Sequence, residues 1–536
     1  MADEKIGAVM VVGGGIGGIQ ASLDLANAGF KVYLVEESPA IGGKMASLDK
    51  TFPTNDCAMC TLSPKLVECG RHPNIELLTY SELLDIQGDP GNFTATVLRH
   101  ARSVDESKCT GCGICVEKCP WKAPNKFEQG LKERKAIYVP YAQAIPNIPT
   151  IDREACAYFK NGKCKACQKF CGQNAIDFTQ TDKEITLNVG SVILTPGFEA
   201  FDAKLKGEYG YGRYPNVVTS LEFERILSAS GPFQGKVLRP SDKKHPHRIA
   251  WIQCVGSRDT SIGNGYCSSV CCMYAVKEAV IAREHQPDLD LSIFYNDIRA
   301  FGKGYEAYYE NAKKSGVHFI KSIVSGVREN PQTHNLLMNF VTPDGIKEEE
   351  YDMVVLSVGL RVPEKIRQLA GRLGLSLDNY GFCQTDEFEP AQTSRPGVFA
   401  CGVFQGPKDI PETVMQASAA AAASSALLTS NRGTMVKDKV YPAERDVSGE
   451  PPRIGVFVCH CGTNIGSIVN VPEVVAYSKT LPNVVHAEEN IYACASDAQE
   501  HLKEVIQKNG LNRVVISSCT PRTHEPLFQE TIKEAG

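Results

Sequence analysis

The chain has 536 residues, too many for one hydrophobic core, so we expect three or four domains. Its 57 basic and 62 acidic residues give a net charge of −5, which argues against a nucleic-acid partner, and the sequence lacks the long apolar run of a transmembrane helix. Residues 1–5 lack the layout of a signal peptide, and the 21 cysteines fall in clustered spacings. These features predict a cytoplasmic protein whose cysteines bind metal instead of forming disulfides.

The N-terminal segment predicts a dinucleotide-binding unit. An apolar strand pattern at residues 6–12 runs into a glycine-rich turn, and a helical pattern and a second strand at 31–35 follow. The turn has the pattern G-x-G-x-x-G, and its glycines are Gly13, Gly15 and Gly18. We expect the pyrophosphate at the helix N-terminus and the ribose hydroxyls on Glu36, which ends the second strand.

Two further turns favour FAD over NAD as the dinucleotide. A Gly-Gly-Lys segment shortly after Glu36 resembles the second glycine pair of flavoproteins with two dinucleotide-binding domains. A Thr-Pro-Gly turn after the strand 184–194 resembles the point at which such proteins leave the FAD domain. The FAD contacts expected from these turns are Gly42, Gly43, Lys44, Thr195 and Gly197.

A C-x₂-C pair, Cys57 and Cys60, lies between these turns, with Cys69 as a third sulfur nearby. The pair could be redox-active or metal-binding. We favour structural thiols or thiols that neighbour the flavin over cluster ligands.

The stretch from Cys109 to Cys171 predicts two [4Fe–4S] clusters. A C-x₂-C-x₂-C-x₃-C-P run precedes a second set of four cysteines, and in two-cluster ferredoxins the fourth cysteine of each run ligates the other cluster. The expected ligand sets are Cys109, Cys112, Cys115 and Cys171 for one cluster, and Cys119, Cys156, Cys164 and Cys167 for the other. Seven residues, 157–163, separate Cys156 from Cys164 instead of two, which leaves Cys156 open as a ligand. A zinc site is the alternative.

The segment after residue 245 predicts a degenerate nicotinamide domain. Its strands are present at 248–254 and 291–295, but the glycine-rich turn between them is missing. Four cysteines stand in its place: Cys254, Cys267, Cys271 and Cys272. We interpret them as ligands of a non-standard iron–sulfur cluster where the nicotinamide phosphates would lie, with structural thiols as the alternative.

The last strand of the FAD domain is expected at 395–402. Val403 stands where many related flavoproteins carry Asp. Lys408 and Asp409 are expected near the flavin ring, where charge would tune its electronics, with a solvated loop pair as the alternative. The remaining expected FAD contacts are Gly402, Gln405, Gly406 and Gln416.

A βαβαβ pattern follows a linker rich in Ser, Gly, Pro and charge. Its cysteines, Cys459, Cys461, Cys494 and Cys519, fall at or just past strand ends, which is the ligand-binding edge of an open α/β sheet. We favour one further cluster here over separate free thiols. His460 and His524 flank these cysteines and could be ligands or ordinary loop histidines.

These elements predict an α/β, thioredoxin-reductase-like flavoprotein with two dinucleotide-binding domains, an inserted two-cluster ferredoxin domain and a small C-terminal α/β iron–sulfur domain. The expected domains are the FAD-binding segments 1–104, 182–245 and 346–428, the ferredoxin insert 105–181, the degenerate NAD(P)H-like domain 246–345, the linker 429–452 and the C-terminal domain 453–536.

Over nearly its whole length the chain resembles the flavin-bearing A subunit of heterodisulfide reductase. The marks of the resemblance are residues 52–60 and 71–80, the inserted ferredoxin, the set from Cys254 to Cys272, and residues 405–410. Residues 453–536 resemble that family's N-terminal module, here placed after the flavin domain.

The resemblance implies flavin-based electron bifurcation. FAD would take an electron pair from a hydrogenase or formate dehydrogenase module, and send one electron to a disulfide-type acceptor and one to ferredoxin. The implied partners are the B and C subunits of a larger complex. A non-bifurcating relay and docking subunit is the alternative. An NAD(P)H-dependent disulfide reductase ranks last, because the second glycine turn is missing.

Overall fold

The structure, a computed structural model, describes residues 5–536. The strands are β1 (Ala8–Val12), β2 (Lys31–Glu36), β3 (Lys50–Thr51), β4 (Asp56–Cys57), β5 (Ile75–Thr79), β6 (Ser81–Asp89), β7 (Asn92–Arg99), β8 (Lys122–Pro124), β9 (Glu133–Lys135), β10 (Ile137–Tyr138), β11 (Thr150–Ile151), β12 (Lys183–Val189), β13 (Ser191–Leu194), β14 (Glu199–Ala200), β15 (Val217–Thr219), β16 (Arg248–Val255), β17 (Asp290–Tyr295), β18 (His318–Lys321), β19 (Val324–Glu329), β20 (Leu336–Thr342), β21 (Gly345–Tyr351), β22 (Met353–Val358), β23 (Leu360–Arg361), β24 (Val398–Ala400), β25 (Ile454–Cys459), β26 (Val484–Asn490) and β27 (Arg513–Ser517).

The helices are α1 (Ile16–Asn27), α2 (Ala58–Arg71), α3 (Ile114–Glu117), α4 (Ala157–Asn161), α5 (Ala166–Lys169), α6 (Ser220–Leu227), α7 (Cys271–His285), α8 (Tyr305–Lys314), α9 (Glu364–Arg372), α10 (Ile410–Leu427), α11 (Gly462–Ile465), α12 (Val471–Ser478), α13 (Ser496–Asn509) and α14 (Pro521–Glu534). Within residues 5–536, no helix combines the length and the apolar composition that a membrane crossing would require.

The first sheet is built around the N-terminal strand. Its five parallel strands have the order β24-β13-β1-β2-β5. Every residue of β1 is buried, as expected for a parallel sheet that is covered on both faces. The glycine turn follows the end of β1 and so lies at the carboxyl edge of the sheet; helix α1 starts within it, at Ile16, and packs along α10.

The second sheet has five parallel strands in the order β15-β22-β16-β17-β18. Strand β22 pairs with β16, although residues 346–428 were expected in the FAD domain, and β15 comes from the segment 182–245. Both parallel sheets are buried on both faces, so their strands have the same short apolar pattern. The pattern alone therefore does not indicate to which of the two sheets a strand belongs.

The segment between β7 and β12 contains only short elements and lies against the first sheet. Ile41 donates its amide to the carbonyl oxygen of Ile145 at 2.9 Å, and the Tyr141 hydroxyl donates to the carbonyl of Ile41. These bonds hold the cysteine-rich insert beside the glycine turn.

The C-terminal unit is a three-stranded parallel sheet in the order β26-β25-β27. It follows the expected βαβαβ order, with α12 and α13 as the connecting helices. Helix α14 packs against α2 of the first unit, and Arg71 on α2 pairs with Glu500 on α13 at 2.9 Å. These contacts place α2 against the two helices α13 and α14 of the C-terminal unit.

Candidate cofactor cavity and metal centres

A cavity of about 830 Å³ opens at the carboxyl edge of the first sheet, within the usual range for small-molecule sites. The expected FAD residues that line it are Gly13, Gly15, Glu36, Gly43, Lys44, Thr195, Gly197, Gly402, Lys408 and Asp409. Those that do not line it are Gly18, Gly42, Gln405, Gly406 and Gln416.

The three glycines of the first turn have different surroundings. A Cβ on Gly13, whose φ is +105°, would lie 2.1 Å from the carbonyl oxygen of Thr195. A Cβ on Gly18 would lie 1.8 Å from the oxygen of Gly13, so both positions require close backbone packing. A Cβ on Gly15 would meet only the Cα of Gly43, at 3.9 Å, and the space beside it belongs to the cavity. The turn therefore fits a pyrophosphate approaching at Gly15.

Glu36 lies at the cavity wall with its carboxylate held by the backbone. Oε2 accepts from the Gly14 amide at 2.6 Å and Oε1 from the Ser38 amide at 2.7 Å. Burial raises the pKa of Glu36, and these two hydrogen bonds oppose the rise. Each oxygen retains acceptor capacity, so the carboxylate can still receive ribose hydroxyls.

Gly402 connects several of the predicted residues near the end of β24. Its amide donates to Gln416 Oε1 at 3.0 Å, and its carbonyl accepts from Lys408 Nζ at 2.9 Å. Burial lowers the pKa of Lys408 to about 8. Lys408 can therefore hold a titratable positive charge at the cavity wall, while Gln416 positions the Gly402 turn without lining the cavity.

Asp409 caps helix α10. Its carboxylate accepts from the Glu412 amide at 2.9 Å and from the hydroxyl of Tyr305, which starts α8. Gln405 instead donates from Nε2 to the carbonyls of Pro390 and Ala400, each at 2.7 Å. The side chains of Asp409 and Gln405 therefore help to order the loop around the cavity.

Four cysteines replace the glycine turn of the second sheet. Cys254, with φ +61°, comes near the end of β16, while Cys271 and Cys272 begin α7. Burial raises the pKa of Cys271 and of Cys272. The nearby thiols of Cys254 and Cys267 raise both values further. The Cys271 thiol donates to the carbonyl of Val358 at 3.8 Å, and Val358 lines the cavity. Cys271 therefore contacts a residue of the cavity wall, although none of the four thiols lines the cavity itself.

The cysteines of the insert fall into the two sets expected from their spacing. Cys119, Cys156, Cys164 and Cys167 line one small cavity of about 10 Å³. In the other set, burial raises the pKa of Cys115 to about 11, and Cys109, Cys112 and Cys171 lie close enough to raise it as well. Gly111 and Gly113 have φ values of +71° and +73°, as tight loops around a cluster require. Helix α4 accommodates the extra residues between Cys156 and Cys164.

The C-terminal cysteines meet thiols from the first unit. Cys461 contacts Cys459 and Cys519, and Cys519 also contacts Cys60, which in turn contacts Cys57. The hydrogen bond from Cys461 lowers the pKa of Cys459 to about 7. The Cys494 thiol instead contacts Ser63, which also donates to its carbonyl at 3.2 Å. Sequence reasoning kept Cys57 and Cys60 apart from this set.

Within residues 5–536, no three His, Cys, Asp or Glu side chains converge as the ligands of a single metal ion would. A cubane differs from such a site, because its four thiolates each bind a different iron atom.

Comparison with known proteins decides the family. The model of the pyridine nucleotide-disulphide oxidoreductase family matches residues 7–423. The iron-sulfur A subunit of the CoB–CoM heterodisulfide reductase of Methanocaldococcus jannaschii is 49% identical over 78% of this chain and 63% of its own length. A protein of Archaeoglobus profundus, named for its likeness to the heterodisulfide reductase A subunit, is 41% identical over 82% of this chain and 68% of its own. The chain belongs to the family of heterodisulfide reductase A subunits.

This membership confirms the predicted family and the two-dinucleotide-binding flavoprotein fold, and it supports a flavin cofactor. Another relative, from Methanothermobacter marburgensis, is named as the A subunit of an H(2):CoB-CoM heterodisulfide,ferredoxin reductase; it is 48% identical over 77% of this chain and 62% of its own length. The chain therefore spans less than two thirds of the length of these two methanogen relatives.

A buried charge cluster beside the cavity of this heterodisulfide reductase homologue was missed by sequence reasoning. Glu224 and Lys277 form an ion pair with both side chains 2% exposed, and Glu278 accepts from Trp251 Nε1 at 2.9 Å. Burial raises the pKa of Glu278 well above its usual range. Glu224, Lys277 and Glu278 all line the cavity. The adjacent Lys277 and Glu278 in an otherwise buried stretch of α7 were the available signal.

Proposed function

We propose that the chain is the electron-transferring flavoprotein subunit of a heterodisulfide-reductase-type complex. FAD would occupy the 830 Å³ cavity, and [4Fe–4S] clusters would occupy the cysteine sets around it. The observation that carries the proposal is the Cys254–Cys272 set, which stands where the second sheet would otherwise bind the nicotinamide phosphates; its Cys271 contacts Val358 of the cavity wall.

A bound FAD supplies the exchange of an electron pair for single electrons. The chain's own residues would hold and orient it: Gly15 leaves room for the pyrophosphate, and Glu36 receives the ribose hydroxyls. Lys408 places a positive charge at the cavity wall, tied to the Gly402 carbonyl, where charge affects flavin electronics. Val403, which also lines the cavity, adds no charge there.

The insert and the second unit supply two different routes to the cavity. Phe127 and Tyr141 of the insert line the cavity, and so do Val270 and Tyr274, beside the Cys271–Cys272 pair. Separate routes suit electron bifurcation, because cluster potentials span a range from roughly −700 to +450 mV. The name of the Methanothermobacter relative joins H₂, a heterodisulfide and ferredoxin in one reaction, and this supports the same proposal.

The proposed partners are heterodisulfide-reductase-type B and C subunits, a hydrogenase or formate dehydrogenase module, and ferredoxin. The test is turnover of the complex purified anaerobically around this chain. Bifurcation predicts that ferredoxin is reduced only while a disulfide acceptor is also being reduced. Ferredoxin reduction that is indifferent to the acceptor would leave electron relay and docking as the function.

A further inference from the structure

Helix α2 brings two thiols to the edge of the C-terminal sheet. Cys57 caps the helix, and its sulfur accepts from the Cys60 amide at 3.3 Å. The helix is held there along its length: the Ser63 hydroxyl donates to the Cys494 carbonyl, 431 residues away in the chain, and Arg71 contacts Thr531 at 3.2 Å. The two cysteines therefore belong to an extensive contact between the two units.

Five thiols form a continuous contact network across this boundary. Cys60 contacts Cys57 within its own unit and Cys519 across the boundary. Cys519 contacts Cys461, and Cys461 contacts Cys459. All five side chains are buried or half-buried. A group of thiols this dense lies where the carboxyl ends of β25 and β27 meet, which is where open α/β sheets bind ligands.

A buried histidine faces the same point. His524 on α14 is 2% exposed, and neither of its ring nitrogens has a nitrogen or oxygen hydrogen-bond partner within residues 5–536. The ring instead forms a hydrogen bond with the thiol of Cys519, which also contacts Cys461 and Cys60. His524 therefore borders the thiol network.

We propose that Cys57 and Cys60 of the flavin unit, together with Cys459, Cys461 and Cys519 of the C-terminal unit, hold one iron–sulfur cluster that both units share. A [4Fe–4S] cluster needs four thiolates, so the network supplies enough ligands with one thiol to spare. We leave Cys494 outside the proposed set: its thiol is hydrogen-bonded to Ser63, while Cys459 and Cys519 lie nearby. The three C-terminal thiols of the set are one short of the four that a [4Fe–4S] cluster needs.

The shared cluster would lie beside the flavin cavity. Thr61, the neighbour of Cys60 on α2, lines the cavity, and so do residues 50–54, which precede Cys57. The role of the cluster as a third electron route rests on the function proposed above, whereas its binding does not and is tested separately.

The test compares iron content and the low-temperature EPR spectrum of the full chain, purified anaerobically, in Cys→Ser variants. The double variants Cys57→Ser/Cys60→Ser and Cys459→Ser/Cys461→Ser each leave three thiols of the five, so each should lose about four irons and the same EPR signal, because a shared [4Fe–4S] cluster has ligands on both sides. Cys69→Ser, a buried thiol on the same helix, is the matched control and should lose none. Cys494→Ser should also keep its iron. Retained flavin shows that each variant is folded.

Thiol alkylation of the wild-type chain provides a second readout that does not depend on a variant folding. Cys57 and Cys60 should be protected in the anaerobic protein and become reactive once the iron is chelated. The proposal is overturned if Cys459→Ser/Cys461→Ser loses the cluster while Cys57→Ser/Cys60→Ser keeps it, if zinc replaces iron at this site, or if Cys60 and Cys519 form a disulfide. Loss of this iron with intact ferredoxin reduction would contradict only the electron-route role.

Discussion

The turn after β1 and the turn after β16 occupy equivalent places in two parallel sheets. Each follows a central strand at the carboxyl edge and leads into a helix. The first keeps glycines, so the backbone comes close to the cavity at Gly15. The second has cysteines from Cys254 to Cys272, of which Cys271 contacts Val358 of the cavity wall. We propose that the same position in the fold serves a pyrophosphate in the first sheet and a metal cluster in the second, depending on its side chains.

The largest effect is expected from a substitution that fills the open space beside Gly15 in the first turn. Gly15→Asp adds a negative side chain where the pyrophosphate would lie, so the affinity for FAD should fall by at least about 10-fold, which corresponds to roughly 1.4 kcal/mol. The measurement is flavin content after purification, followed by FAD titration of the apoprotein. Gly263→Asn is the control in the second turn, because Gly263 has open space around its Cα and Asn tolerates a positive φ. Full flavin occupancy in Gly15→Asp would contradict the assignment.

A substitution in the second turn should lower the iron content and leave the flavin content unchanged. Cys272→Ser is expected to lose about four irons, since a [4Fe–4S] cluster cannot keep all its ligands without that thiolate. Iron and flavin quantitation on the same anaerobic sample measures both. Cys383→Ser, an isolated buried thiol that does not line the cavity, serves as control. Unchanged iron in Cys272→Ser would mean that the second turn holds structural thiols.

The smallest effect is expected at Lys408. Its pKa is lowered to about 8 by burial, so the side chain loses its positive charge as the pH rises through that value. A nearby positive charge favours the reduced, more negative flavin, so its loss should lower the flavin reduction potential on the order of 30 mV. Lys408→Met should show a low potential at every pH and no break near pH 8. Lys126→Met, at an exposed position of the cavity wall, is the control. An unaltered pH profile in Lys408→Met would show that Lys408 does not tune the flavin reduction potential.

Local spacing was sufficient to predict the parts of the site that lie within one turn. The glycine pattern with Glu36, the two cysteine sets of the insert and the Cys254–Cys272 set each join residues close in sequence, and the structure brings the members of each set together. Strand β22 could not be assigned to the correct sheet from its pattern, because an apolar run does not indicate which sheet it joins.

Contacts between distant segments could not be predicted from the sequence either. Nothing near Cys60 in the sequence indicates that it meets Cys519, since the contact depends on how α14 packs against α2. The same holds for Gln416, which reaches the Gly402 amide from a different turn of the chain. Tertiary packing decides such pairs, and a single sequence does not reveal it.

The central claim is that the second unit has exchanged nicotinamide binding for iron–sulfur chemistry. Anaerobic titration of the full chain with NADPH and NADH, followed by flavin absorbance, tests it most directly. We expect no flavin bleaching with either nucleotide, while dithionite bleaches the same sample. Rapid bleaching by NADPH or NADH would contradict the account, because it would require a functional nicotinamide site.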